Sequence, residues 1–270
     1  MGAREAFAAV ALPLALGAIW LLPFWVYLAL IWLVSLAAAA ELVGMLRRPE
    51  LSVPRVPTLV ALGVALPVLW WQGLPAAGPL VAAVVLVLPT VYLLGRFPVP
   101  GAASAMAISV FAAVYFLVTG GAMGLLRTAV DPQLGSRIVL LHCLVVWGGD
   151  SGAYYVGRAF GRHRMAPVVS PKKTWEGFAG GIALTFFGVW FCRTVFFPEL
   201  PWRLGLLLAV VLSVAVPLGD LVESLLKRDA GTKDSSTLIP GHGGFLDRSD
   251  SLFFAAPLVL ALFLVAGLPR

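Results

Sequence analysis

Charge is what this sequence has least of: Asp, Glu, Lys and Arg supply 12% of its 270 residues, against about 25% in a soluble globular domain. With 60% of residues hydrophobic and a mean hydropathy of +0.96, an ordinary water-soluble fold is excluded. Cysteine is nearly absent. Cys143 and Cys192 each lie inside an apolar run without metal-type spacing, so both read as small buried hydrophobes, not ligands or a disulfide. Two nucleotide-binding patterns are missing as well. No GxxxxGK[ST] loop occurs and no GxGxxG follows a strand, which excludes a P-loop and a dinucleotide fold. The 19 basic residues outnumber the 13 acidic ones, but they sit in short loops between apolar runs. That is a membrane-topology pattern, and no nucleic-acid partner is expected.

What the sequence does have is apolar runs of membrane length. The expectation is an all-α fold: a polytopic integral membrane helical bundle of about nine transmembrane helices. They are placed near residues 6–22, 24–46, 56–72, 76–95, 103–125, 137–157, 177–197, 203–226 and 249–268. The first run offers no small-residue cleavage site of its own and reads as a retained helix. Very short connections after Leu22 and Gln72 fit antiparallel helical hairpins. Residues 1–135 read as an N-terminal, lipid-facing scaffold, and 136–270 as the helices whose loops carry the site. Summing Lys and Arg on alternate sides puts 14 on one face and five, Arg127, Arg137, Arg193, Arg203 and Arg270, on the other. The richer face is then cytoplasmic. A multi-pass protein of the cell inner membrane is expected, N-terminus inside and C-terminus outside, with the loops at 158–176 and 227–248 facing the cytoplasm.

Three stretches carry chemistry. Residues 224–250 hold four acidic and four basic residues between two strongly apolar segments, a costly arrangement at a membrane. Upstream, Asp220, Glu223, Ser224 and Lys227 recur at helical spacing and form one polar stripe; snorkelling accounts for Lys227 and Arg228 but not for the deeper carboxylates. Downstream, Pro240 to Gly244 makes a turn whose glycines let backbone N–H groups approach an anion, and Asp247 and Asp250 share a face where the last helix opens. Asp220, Asp247 and Asp250 together suit Mg2+, which takes oxygen ligands from one or two carboxylates and from substrate phosphates. The sixth span carries Asp150, with Tyr154 and Arg158 on the same face, and a site role is preferred there over a structural polar pair. His142 reads as a hydrogen-bonded core histidine, and His163 as a surface residue. Lys172 and Lys173 lie beside a helix start that Thr174 to Glu176 can cap; they read as a phosphate cradle or as a solvated basic loop. Glu41 reads as a carboxylate reaching the interface or pairing with Arg47 or Arg48, in preference to a site role.

These residues resemble the signature of the CDP-diacylglycerol synthases, or phosphatidate cytidylyltransferases. Ser224, Leu226, Lys227, Arg228, Lys233, Asp234, Ser236, Ile239, Pro240, His242, Gly243, Gly244, Phe245, Asp247, Arg248 and Asp250 fit it, and only Ser249 departs, where the family has an apolar residue or Thr. DSGAYYVGRAFG and SPKKTWEG are also similar to family stretches. The resemblance implies a membrane enzyme of phospholipid biosynthesis that joins CTP and phosphatidic acid into CDP-diacylglycerol and pyrophosphate with Mg2+. A second cation and a homodimer are both compatible with it. It implies Asp220, Asp247 and Asp250 as metal ligands, with Asp220, Lys227, Asp247 and Arg248 as the catalytic set. Lys173, Ser224, Arg228, Lys233, Asp150 and the His242–Gly243–Gly244 turn are then substrate-binding. His242 either contacts the base or fixes the turn. Two other functions remain open: a CTP-dependent polyprenol or phytol kinase, and a transporter, which predicts an ionisable path to the outer face.

Overall fold

A computed structural model describes residues 17, 19–20, 23–48, 51–95, 97–129, 131–236, 238 and 243–267. The described residues form eight α-helices: α1 Phe24–Met45, α2 Arg55–Gln72, α3 Ala77–Leu94, α4 Ala102–Thr128, α5 Pro132–Phe160, α6 Trp175–Val195, α7 Trp202–Asp229 and α8 Leu246–Val265. A single 3-10 turn, Leu74–Ala76, leads into α3. The helices fall on eight of the expected spans, and the expected span at 6–22 lies outside the described residues, apart from helical positions at 17, 19 and 20. Six of the eight are long and apolar enough to cross a membrane, α3 together with its leading turn. Among the described residues the count by this measure is six, below the expected nine. The two that fall short are α2, which has only 18 residues with Arg55 and Gln72 at its ends, and α5, which is interrupted by Arg137, His142, Asp150 and Arg158.

One element differs from the expected loop. Between α5 and α6 the chain forms an antiparallel hairpin, β1 Arg164–Ala166 with β2 Ser170–Thr174. Its base is closed by Thr174, whose side chain caps α6 by accepting from Gly177 N at 3.2 Å. Glu176 turns back to accept from the backbone N–H groups of Arg162 and His163.

Helix α4 is central, touching α1, α2, α3, α5 and α8. It is buried almost continuously from Phe116 to Arg127 because small residues let its neighbours in. A Cβ on Gly121 would come within 2.5 Å of Leu69 Cδ2, and Trp70 Nε1 donates to Gly121 O at 3.1 Å. The same device is stronger between α5 and α6. There Cβ atoms built on Gly152, Gly177 and Gly180 would lie 2.6, 2.7 and 2.5 Å from Gly180 O, Ala153 O and Val156 respectively. With lipid tails as apolar as leucine, such backbone proximity is what holds two membrane helices together. His142 is fully buried with Nε2 donating to Leu252 O at 2.9 Å, which ties α5 to α8 as a core histidine should.

The chain is thereby gathered so that one end of the bundle carries the polar loops. Arg48 after α1 pairs with Asp229 at the end of α7 at 3.1 Å, and Arg228 Nε donates to Val169 O in the hairpin at 3.2 Å. At the opposite end Arg137 pairs with Glu199 at 2.5 Å, and Arg193 lies over the Trp202 ring at 4.1 Å. The α5–α6 contact leads to a prediction. Gly180→Val should cost about 2 kcal/mol through overpacking, read as a lowered thermal midpoint in detergent. Gly78→Ala, on α3 with nothing within 4 Å of its Cβ, should stay within about 1 kcal/mol of wild type.

Candidate active site

Pro217 interrupts α7 one turn before Asp220, and the carbonyls beside it take side chains from other elements. Ser251 Oγ donates to Val216 O at 3.2 Å and Lys173 Nζ to Pro217 O at 3.1 Å. Beyond this point the polar stripe of α7 forms as its spacing requires. Ser224 Oγ donates to Asp220 Oδ1 at 3.2 Å, and Lys227 Nζ to Glu223 Oε2 at 2.9 Å.

Three carboxylates converge where α7 meets the start of α8. Asp220, Glu223 and Asp250 each present an oxygen, all within 4.8 Å of one another. At that separation and an effective dielectric near 20, each pair of charges would repel by about 3 kcal/mol. Lys173, from β2, offsets part of this by pairing with Asp220 Oδ2 at 2.9 Å. Lys227 offsets more, but it is shared: its Nζ lies 2.9 Å from Glu223 Oε2 and 2.7 Å from Asp247 Oδ1. Asp150 on α5 is close enough to interact with the charges of Asp220, Asp250 and Lys173. Five carboxylates thus meet two ammonium groups. The buried Glu223 Oε1 accepts from no donor among the described residues. Oxygen donors, net negative charge and an unsatisfied lone pair fit a hard divalent cation such as Mg2+.

Asp247 stands apart from this group. Its Oδ1 accepts from Lys227, and its Oδ2 accepts from Ser235 N at 2.9 Å, Ser235 Oγ at 2.8 Å and Gly244 N at 2.8 Å. The geometry puts Glu223, not Asp247, beside Asp220 and Asp250. Gly243 and Gly244 also make room for two carboxylates of the protein itself. Gly243 has φ +78°, and a Cβ there would lie 2.5 Å from Asp247 Oδ2. A Cβ on Gly244 would collide with the Glu41 carboxylate and Ser235 Oγ. The turn is glycine because two carboxylates crowd it. His242 lies outside the described residues.

Lys173 points into the cluster, while Lys172, Arg228, Lys233 and Arg248 are exposed on the same end of the bundle. Arg158 Nη1 lies 3.4 Å from Tyr154 Oη, one turn beyond Asp150 along α5. Sequence reasoning missed Glu41. It neither reaches solvent nor pairs with Arg47 or Arg48; it is 6% exposed and accepts from Ser235, Ser236, Phe245 and Leu246. The available signal was a lone carboxylate in the run SLAAAAELVGM.

A sequence model of the cytidylyltransferase family matches residues 2–266. The phosphatidate cytidylyltransferase of Mycobacterium bovis is 36% identical over 256 residues, covering 88% of this chain and 81% of that protein. That of Staphylococcus saprophyticus is 36% identical over 241 residues, covering 86% and 88% respectively. The enzyme of the same name from Bacillus subtilis is 46% identical over 134 residues, 48% of this chain, and the chain spans half that relative's length.

Lys227 joins two carboxylates at a site where its own side chain is 13% exposed. Lys227→Met should therefore destabilise the protein by about 3 kcal/mol, by stranding both anions. Adding Glu223→Gln should restore part of the loss. Thermal unfolding of the two variants in detergent measures both effects.

Proposed function

Because the chain belongs to the cytidylyltransferase family, we propose that it joins CTP to phosphatidic acid, giving CDP-diacylglycerol and pyrophosphate, at the acidic cluster between α7 and α8. A phosphate oxygen of phosphatidate attacks the α-phosphorus of CTP. One P–O bond forms there as the bond to the β-phosphate breaks, and pyrophosphate leaves. The nucleophile is already ionised at neutral pH, so no general base is needed. What the protein must supply is countercharge and alignment for two anions that repel each other.

The observation that carries this reading is the convergence of Asp220, Glu223 and Asp250, with Lys173 and Lys227 on its two sides. These three carboxylates would hold Mg2+, which when bound neutralises phosphate oxygens and fixes their geometry. Lys173 and Lys227 hold the carboxylates at fixed separation. The exposed Arg228, Lys233 and Arg248 attract the triphosphate and the lipid headgroup to the same end of the bundle. Arg158 and Lys172, one on α5 and one on the hairpin, suit the headgroup from the other side. Asp150 adds negative charge that keeps Lys173 turned inward, and Ser224 orients Asp220. The excess of Lys and Arg in its loops supports a reading in which this end faces the cytoplasm of an inner-membrane protein. The reacting side chains come from 136–270, with the N-terminal half as scaffold.

Purified protein in detergent should convert labelled CTP and phosphatidic acid to CDP-diacylglycerol with a requirement for Mg2+, and EDTA should abolish the turnover. Asp220→Asn and Asp250→Asn should each lower kcat by about a hundredfold or more, as loss of a group acting on transition-state charge does. Wild-type protein that makes no CDP-diacylglycerol from any phosphatidate would refute the function. Wild-type turnover by Asp220→Asn would refute the cation site.

A further inference from the structure

We propose that Glu41, on α1, is a positioning residue for this site: it holds Ser235 and Ser236 together with the start of α8 and, through Ser235, sets Asp247 and Lys227 against the acidic cluster. The proposal rests on the transferase reading above. Glu41 precedes Ser235 by 194 positions in the chain, yet four donors from the motif region converge on its carboxylate. Oε1 accepts from Ser236 Oγ at 2.8 Å and from Phe245 N at 3.1 Å; Oε2 accepts from Ser235 Oγ at 2.9 Å and from Leu246 N at 2.9 Å. Each oxygen thus takes two donors, which fills the usual capacity of a carboxylate.

Two of the donors are backbone N–H groups where α8 begins. The first N–H groups of a helix have no partner within it and carry the positive end of its dipole, so an anion supplied by another helix satisfies both needs. Phe245, the residue before the helix, offers no side-chain cap of its own. Glu41 is the cap, supplied by α1. The same anion fixes the far end of the segment through Ser235 and Ser236.

Ser235 then couples Glu41 to the site. Its Oγ lies 2.9 Å from Glu41 Oε2 and 2.8 Å from Asp247 Oδ2, so its single proton goes to one carboxylate at a time, while Ser235 N donates to Asp247 Oδ2 at 2.9 Å. Asp247 Oδ1 holds Lys227, and Lys227 holds Glu223, a member of the acidic cluster. The contacts run unbroken from α1 through Ser235, Asp247 and Lys227 to Glu223. Gly244 is compatible with this only without a side chain, because a Cβ there would collide with Glu41 and Ser235.

Glu41→Gln is the sharpest test, since it keeps the size of the side chain and the packing of α1. One oxygen becomes an NH2 group facing donors that it cannot accept from. The probe is Mn2+, titrated by electron paramagnetic resonance into full-length, substrate-free protein in detergent, with hydrogen exchange followed over 232–246. Glu41→Gln should weaken Mn2+ binding about tenfold, the loss expected for one charge-assisted hydrogen bond. It should also speed exchange at Phe245 and Leu246. In turnover assays the Mg2+ concentration for half-maximal rate should rise by a similar factor, and Glu41→Asp should recover part of the loss. A second variant covers the case in which Glu41→Gln does not fold. Ser235→Ala leaves the backbone donors on Glu41 but removes the shared hydroxyl, and it should also weaken Mn2+ binding. Mn2+ affinity equal to wild type in either folded variant overturns the proposal. Absence of turnover by wild type overturns the transferase reading instead, and the Mn2+ titration and the exchange data still decide the role of Glu41.

Discussion

The structure depends on confining anions at the end of an apolar bundle. Asp220, Glu223 and Asp250 lie within 4.8 Å of one another where α7 and α8 meet, and such a group is stable only with cations beside it. Lys173 and Lys227 supply two. Each comes from a different place, the hairpin and α7, so the cluster fixes how those elements sit relative to α8. The hairpin is held again by Arg228 at Val169 O, which keeps Lys173 aimed inward. Folding and site assembly are thus one process at this end, because the charges cannot be neutralised unless the elements are in place.

Proximity elsewhere makes that precision attainable. The glycine faces of α5 and α6 bring their backbones together near Gly152 and Gly180, and α6 begins directly after β2, the strand that carries Lys173. A displaced α6 would carry Lys173 with it. On the other side, α8 is tied to α5 through His142 and Leu252, and to α7 through Ser251 and Val216. Polar contacts inside an apolar bundle have no water to compete with them, so a few suffice to fix the register of a helix.

Much of this was legible in the sequence, for identifiable reasons. Spans such as 103–125 and 203–226 are long apolar runs bounded by charge or proline, and the structure places α4 and α7 there. The stripe of Asp220, Glu223, Ser224 and Lys227 was readable because helical spacing is a local property. The hairpin was not: its strands have three and five residues, too few to show an alternation. Nor was the partner of Glu41, since that contact spans roughly 200 positions of sequence. Spacing gave Asp247 and Asp250 one face, but it could not tell that Asp247 would be engaged by Lys227, Ser235 and Gly244 while Glu223 Oε1 met no donor among the described residues.

That last distinction separates two kinds of carboxylate. Glu41 and Asp247 are each engaged by several protein donors, with the Ser235 hydroxyl lying between them. Such groups organise; they hold Ser235, Ser236, the start of α8 and the ammonium of Lys227. Among the described residues Glu223 Oε1 meets no donor, and Asp220 is met by Lys173 and Ser224. The glycines follow from the same division. Gly244 donates its N–H to Asp247, and its lack of a side chain leaves room for the Glu41 carboxylate and Ser235 Oγ. A motif dense in acidic and glycine residues therefore contains its own scaffold, and the residues free to act are those whose oxygens the protein has left unsatisfied.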